Sequence, residues 1–386
     1  MPDRTAPDNT RTAIRLAFFY AAVFAMIGVH VPFWPVWLAA KGLGATDIGV
    51  IIAASLGVKV VFNPLIAHAA DRRGQRRPIM VILAALSCVA FALFGWTDGF
   101  WPILGVSVLF FAVWSPLMPL GESLAMLSGQ GGGKELDYGR IRLWGSLSFI
   151  AGAVGAGTLL AAHPPGIIYW ILLASLALVA AVTLALPTTV APAATGGRFA
   201  AIEVLRDSRF RLFLAATALI QASHGVYYGF GTLNWQAQGY SETVIGWLWA
   251  EGVVAEIILF AFGVRLVGWM GPAKLIALGG LAGAVRWSLT GLTTGLEILV
   301  VLQALHALTF AATHLGAMYF ISRRVSPALS ASAQGLYSAM VMGLALGLAM
   351  LLSGKLFALY GAGAYQAMAA MAALGTVAAV LLINKR

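Results

Sequence analysis

Charge is scarce in this sequence. Only 10% of its 386 residues are Asp, Glu, Lys or Arg, while 60% are hydrophobic and the mean hydropathy is +0.89. A water-soluble surface cannot be built from that composition. Cysteine is scarcer still: Cys88 stands alone, which excludes a disulfide framework within one chain, and its apolar surroundings predict a buried packing residue. The period-2 alternation of barrel strands is missing from the long apolar runs, so membrane-spanning helices are the reading that remains. Also absent are an HExxH pair, a nucleophile elbow, paired aspartates in apolar runs and any loop long enough for a soluble domain. These gaps argue against an intramembrane enzyme and a signalling receptor.

What is present is a series of apolar runs of roughly 20 residues or more, the length a helix needs to cross about 30 Å of hydrocarbon. Twelve spans are expected near residues 12–39, 46–70, 78–97, 100–127, 139–162, 165–187, 208–237, 242–268, 272–292, 295–321, 329–359 and 361–383. The polar start, MPDRTAPDNTRTAIR, precedes an apolar run too long for a signal-peptide core, so a retained first span is expected. The net charge of +10 is concentrated in alternate loops: 20 of the 24 Lys and Arg fall on one side if both termini lie there, against Lys41 and Lys355 on the other. Positive-inside bias makes that side the cytoplasm and gives the charge a topological meaning, with no nucleic acid as partner.

The stretch from Pro187 to Arg209 is a Pro/Gly/Ala-rich linker ending in basic residues. It divides the chain into an N-terminal bundle (1–187), a cytoplasmic linker (188–207) and a C-terminal bundle (208–386). GLGATDIGVI from Gly42 and GYSETVIGWL from Gly239 align at an offset of 197, so the halves read as a duplication. Parallel six-helix repeats with a site at their interface are an arrangement of transporters.

An ionisable group inside a span costs roughly 2.5 to 3.5 kcal/mol on insertion scales, so each is a functional candidate. They are Lys59, Glu122, Arg142, Glu251, Glu256 and Arg286, with His30, His224, His306 and His314. Three acids and three bases sum to zero, which suits ion pairs and does not by itself demand an anionic substrate. Glu122 and Arg142 approach the same depth from neighbouring spans, and a fixed pair between a glutamate of span eight and Arg286 is the plain structural alternative to a coupling role. Lys59 and Glu256 share a position in the repeat. Tyr227, Tyr228 and Phe230 offer an aromatic stack with Gln221 or Asn234 as hydrogen-bonding neighbours, whereas Trp37 and Trp235 are expected in interface belts.

AHAADRRGQRRP, Ala67 to Pro78, resembles the cytoplasmic signature G-x-x-x-D-R-x-G-R-R of the major facilitator superfamily. Asp71, Arg72, Gly74 and Arg76 match, while Ala67 and Gln75 depart. The resemblance implies twelve helices in two six-helix bundles and a gating role for this loop. YGRIRLWGS with Glu122 one span earlier, AEGVV, AVRW and ALHALT resemble the lactose permease branch, which implies a substrate-binding pair Glu122–Arg142 and coupling residues Glu251, Arg286 and His306. Thr309 stands where that branch has its proton-accepting carboxylate. VPFWPVWL, SPLMPLGESLA with LDYGRIRLWGS, HGVYYGFGTLNWQAQGYS, GVVAEIILF and the pair His306 and His314 resemble the bacterial 3-phenylpropionate permease type, whose span-eight acid falls on Glu256.

The expectation drawn from these resemblances is a proton-coupled symporter of a bacterial inner membrane, powered by the proton gradient without a cofactor or metal and working as a monomer. Its solute would be a small aromatic carboxylate, held by Arg142 with Glu122, Tyr227, Tyr228, Phe230, Asn234 and His224. Glu256, Glu251, Arg286, His306 and Lys59 would serve proton coupling. A sugar or nucleoside symporter and a drug-type efflux pump are the alternatives.

Overall fold

The computed structural model describes residues 9–129, 138–189, 205–325 and 330–384, and these are almost wholly helical. Most of the expected linker, residues 190–204, lies outside the described residues, as does the side chain of Asp71. The helices form twelve spans in two bundles of six. The first half comprises Asn9–Ala40, Ala45–Arg73, Arg77–Ala92 with its 3-10 extension Leu93–Trp96, a fourth span made of Phe100–Trp114 and Leu117–Gly129, then Tyr138–Ala162 and Ile167–Thr183. The second half begins with Ser208–Ala222 and Gly225–Ala237 as its seventh span, followed by Glu242–Ala261 and Pro272–Thr290. Its tenth span runs through Leu296–Ala304, Ala307–Ala312 and Thr313–Arg324, its eleventh through Ser330–Tyr337, Ser338–Ala345 and Leu346–Tyr360, and its twelfth is Ala364–Asn384.

Breaks within spans have local causes. Pro116 has no N–H to donate at the joint of the fourth span. The segments Ala307–Ala312 and Ser338–Ala345 are π-helical, a loosening of the ladder that recurs at functional sites, and here both flank the space between the bundles. The eighth span is shorter than its hydropathy suggested. It stops at Ala261, and Gly263–Met270 forms a separate helix bent by 104° from Pro272–Thr290, because an extended Gly271 with φ +77° precedes Pro272. Trp37 and Trp235 are core residues, 4% and 0% exposed, instead of belt residues; Trp37 stacks on Trp34 at 4.5 Å. Exposed Trp96, Trp101, Trp170 and Trp269 take the positions on the outside of the bundle. Cys88 is half-buried rather than enclosed.

The repeat noted in the sequence extends into the backbone. Gly42 and Gly239, 197 apart, both close a helix in the left-handed region at φ +81° and +87°. Gly74, in the loop after the second span, and Gly271 also have positive φ, at +65° and +77°, again at an offset of 197. The bundles meet through the second and eleventh spans and through the fifth and eighth. A Cβ added to Gly49 would stand 2.8 Å from the Met350 carbonyl, and one added to Gly246 would stand 2.6 Å from that of Ala153. Gly354 and Gly157 face them, crowding Ala45 and Glu242. Gly49 corresponds to Gly246 and Gly157 to Gly354 at the same offset, so two equivalent backbone crossings, related by a pseudo-twofold axis, hold the halves together. Both lie on the side of the molecule opposite the chain ends, which is therefore the sealed side.

On the other side, the N-cap Asp207 accepts from Arg209 N at 2.9 Å and from Arg324 Nε at 2.9 Å, bonds that hold its carboxyl below the usual range. In the loop between the second and third spans, Arg76 is 7% exposed and donates to Ser123 Oγ of the fourth span, while Arg72 is exposed.

If the crossings are the seal, Gly246→Val must pry it open. In a Cys88→Ser, Ile51→Cys background, we expect a membrane-impermeant thiol reagent applied from the sealed side to label the reporter severalfold faster once Gly246→Val is added. An unchanged rate would show that the barrier lies elsewhere.

Candidate functional site

Between the bundles lies a cavity of about 400 Å³. The N-terminal half contributes Phe24, His30 and Trp34 from the first span, Ser55 and Lys59 from the second, Phe111 from the fourth, and Arg142 and Phe149 from the fifth. Opposite them stand Tyr227 and Tyr228 of the seventh span, Trp249 and Glu256 of the eighth, His306 and Phe310 of the tenth, and methionines of the eleventh. The wall is aromatic and aliphatic, interrupted by a few charged groups.

Arg142 reaches the cavity from the fifth span with its guanidinium 3.9 Å from the Phe24 ring centroid and 5.7 Å from that of Tyr20. Lys59 extends to within 5.6 Å of the Phe111 centroid. Neither cation has a carboxylate within 4 Å among the described residues. Glu256 is the carboxylate on the wall. Its Oε2 is 3.8 Å from His306 Nε2, and it faces the charge of Arg142 across the gap.

Behind this wall a polar cage surrounds Arg286, which is 0% exposed. Its guanidinium donates to Gln303 Oε1 at 2.8 Å, to Thr309 Oγ1 at 3.1 Å and to His306 Nδ1 at 3.1 Å. Its face is covered by Tyr227 and Trp287, with ring centroids 4.7 and 4.5 Å away. The cage fixes both histidine tautomers. Arginine only donates, so His306 Nδ1 accepts and its proton sits on Nε2, toward Glu256. His224 Nδ1 donates to the Gln221 carbonyl at 3.1 Å, which leaves Nε2 to accept from the Thr309 hydroxyl at 3.2 Å. Thr309, at the position where a carboxylate was expected by resemblance, acts as a neutral relay between Arg286 and His224.

The structure thus brings Arg142, Lys59, Tyr227, Tyr228, Glu256 and His306 to one cavity. It does not bring Glu122, Glu251, Phe230, Asn234, His224 or Arg286 to its wall. Glu122 makes no ion pair with Arg142 among the described residues. Phe230 is fully buried and stacks on Phe357 at 4.8 Å, and Asn234 and Gln221 are 4% and 2% exposed within the second bundle. Arg286 donates to neutral acceptors through its two terminal nitrogens, while its Nε has no partner and it makes no ion pair with a span-eight glutamate among the described residues. Phe24, Phe111, Phe149 and Trp249 line the cavity with neither charge nor motif to mark them in the sequence, and Trp34 stood only within the resembling stretch VPFWPVWL. Spans apolar on every face give no periodic signal to separate cavity from lipid; the spacing Phe24, Ile27, Val31, Trp34 on one face of the first helix was the available clue.

Comparisons with known proteins agree with this architecture. The profile described as "MFS_1 like family" matches residues 13–367. The chain is 34% identical over 364 residues to a "Probable 3-phenylpropionic acid transporter" of Escherichia coli (strain K12), covering 92% of this chain and 94% of that protein. It is 30% identical over 383 residues to a "Maltose permease" of Geobacillus stearothermophilus, covering 95% and 93%. Among solved structures, that of the nucleoside transporter NupG superposes with a TM-score of 0.83 at 18% identity, covering 97% of this chain and 98% of that one.

The cage predicts a stability difference. Arg286→Met strands three buried acceptors and should cost about 2 to 4 kcal/mol, whereas Glu122→Gln should cost less than about 1 kcal/mol. Denaturation of the detergent-purified variants checks both; equal losses would mean that Glu122 carries an ion pair of its own.

Proposed function

The chain belongs to the MFS_1 like family of membrane transporters, and from that premise we propose that it imports a small aromatic carboxylate together with a proton. The observation that carries this reading is the charge of the cavity wall: two cations without carboxylate partners, Arg142 and Lys59, against the single carboxylate of Glu256. Over all spans the charges cancel, but Glu122, Glu251 and Arg286 are off the wall, and what remains favours an anion. The aromatic lining suits a ring, and about 400 Å³ suits a solute of that size. A sugar would need polar partners on most of its edge, and this wall offers few.

In this reading Arg142 holds the carboxylate and the ring lies among Phe24, Phe149, Tyr228 and Trp249. Glu256 takes the proton. His306 is a poor carrier, because protonating Nδ1 would break its bond from Arg286 and set a second positive charge beside it. A substrate anion on Arg142 removes the cation that favours ionised Glu256, so solute and proton load together. The wall carries a net +1 whether empty with Glu256 ionised or loaded with one monoanion and one proton. One proton per monoanion, and transport indifferent to membrane potential, follow from that balance.

In this reading the side bearing the chain ends is the cytoplasm of a bacterial inner membrane, which the basic loops support, and solute leaves toward it because the other side is sealed. One chain contains both halves of the site, which supports a working monomer. Sugar or nucleoside symport is the second reading, favoured by the maltose permease among the relatives and the nucleoside transporter among the structures.

Proteoliposomes test the proposal. We expect an inward proton gradient to drive accumulation of 3-phenylpropanoate, unaffected by a clamped membrane potential. Arg142→Ala should reduce uptake at least about tenfold. Glu256→Gln should abolish gradient-driven accumulation yet preserve exchange of solute across the membrane. Uptake of maltose or a nucleoside, with none of any aromatic acid, overturns the proposal.

A further inference from the structure

The proposed anchor, Arg142, sits at one level of the cavity, beside Phe24 and Tyr20. A second polar group lies closer to the sealed side; Lys59 counts there only toward the charge of the wall, and His30 has no part in the proposed mechanism. His30 and Lys59 both contact the ring of Phe111, at 5.6 Å between ring centroids for the histidine and 5.6 Å from Nζ for the lysine. His30 is packed by Trp34 at 5.6 Å, nearly parallel, and its Nε2 is a buried ring nitrogen with no hydrogen-bond partner among the described residues. Lys59 has no carboxylate there either. Both line the cavity. An ammonium in a span with no counter-ion and a buried imidazole nitrogen with no partner are each costly to maintain. Set against the same aromatic ring and open to the same cavity, they describe a receptor for a hydrogen-bond acceptor that arrives with the solute.

The rise of the first helix between the two levels sets the scale of the distance from the carboxylate to that acceptor. Phe24, which packs on Arg142, and His30 are six residues apart on one helix, or about 9 Å along its axis. That is on the scale of the distance from the carboxylate of a phenylpropanoid to a substituent at the far, para position of its ring. The ring itself would cross the aromatic middle of the cavity between the two poles.

Resting on the reading of an aromatic-acid carrier, we infer that Lys59 and His30 form a second substrate subsite that selects phenylpropanoid acids bearing a para-hydroxyl group. Lys59 donates to the phenolic oxygen and His30 Nε2 exchanges a hydrogen bond with the same hydroxyl. Arg142 answers the carboxylate common to all such acids, and the His30–Lys59 pair reads the ring.

Binding of 3-phenylpropanoate and 3-(4-hydroxyphenyl)propanoate to the detergent-purified protein, followed by calorimetry, tests this. The wild type should bind the hydroxylated acid tighter by about tenfold, the worth of one hydrogen bond to a charged donor. In Lys59→Met, which keeps the length and apolar stem of the side chain, the ratio of the two affinities should fall to about one whatever happens to either alone. The wild-type ratio needs no variant and stands even if Lys59→Met proves unstable. Equal or weaker binding of the hydroxylated acid by the wild type overturns the inference, as does a preference that survives Lys59→Met. Failure of the underlying reading is distinct: neither acid would bind, or Arg142→Ala would bind both as well as the wild type.

Discussion

A permanently charged side chain in hydrocarbon must be surrounded by acceptors or face water, and the arrangement of this protein follows from how each in-span cation meets that demand. Arg286 meets it with a cage. Three acceptors and two aromatic faces enclose its guanidinium, and the cage in turn orders the seventh, ninth and tenth spans around a common point. Arg142 and Lys59 meet it by facing the cavity. One set of charges is thereby committed to structure and the other is available to a solute. The cage also reaches the cavity through His306, whose tautomer is dictated by Arg286 and whose remaining N–H points toward Glu256. A structural cation therefore shapes the environment of the acid proposed to carry the proton.

The second constraint is that two bundles must pack tightly without becoming one. Gly49 with Gly354, and Gly157 with Gly246, allow backbone to touch backbone at two points related by the repeat. At each crossing the nearest neighbours of these glycines are backbone atoms of the opposite bundle. Two such points define an axis, and a rocking motion about an axis between repeats is how transporters of this architecture expose a central site alternately to each side. The positive-φ glycines at equivalent loop positions, Gly42 with Gly239 and Gly74 with Gly271, extend the repeat into the turns that feed these helices.

Much of the fold was legible in the sequence, because span length, basic loops and a repeat offset are one-dimensional signals. The offset of 197 was read from four matched residues and recurs in the glycine turns and crossings. What hydropathy did not show was where a helix ends against a membrane surface: Gly263–Met270 is apolar enough to extend the eighth span, and only the backbone at Gly271 bends it away. The site was legible in its charges and less so in its walls. Arg142, Lys59 and Glu256 stood out because charge in a span is rare. Glu122, Glu251 and Arg286 stood out equally, and nothing in residue type tells a cavity-facing charge from one turned into a bundle. Phe24, Trp34 and Phe111 were hidden for the opposite reason: aromatics are common in spans, and a helix buried on all faces has no polar side against which a cavity face is visible.

Lys59 and Glu256 bring the repeat and the chemistry together. They occupy equivalent positions, 197 apart, on the second and eighth spans, and both line the cavity, so the pseudo-twofold axis that relates the crossings also relates these two charges. A symmetric ancestor would carry the same residue twice, giving either two acids that repel an anion or two cations with no acceptor for a proton. Opposite signs at equivalent places resolve that conflict. The fixed positive charge goes to the half that carries Arg142, where under the proposed function it would add to the attraction for an anion. The titratable negative charge goes to the half that carries the Arg286 cage, where His306 is held neutral beside it. The duplication supplies two matched halves, and the divergence at this one pair of positions is what the proposed mechanism needs: a half whose cations meet the solute and a half whose acid takes the proton.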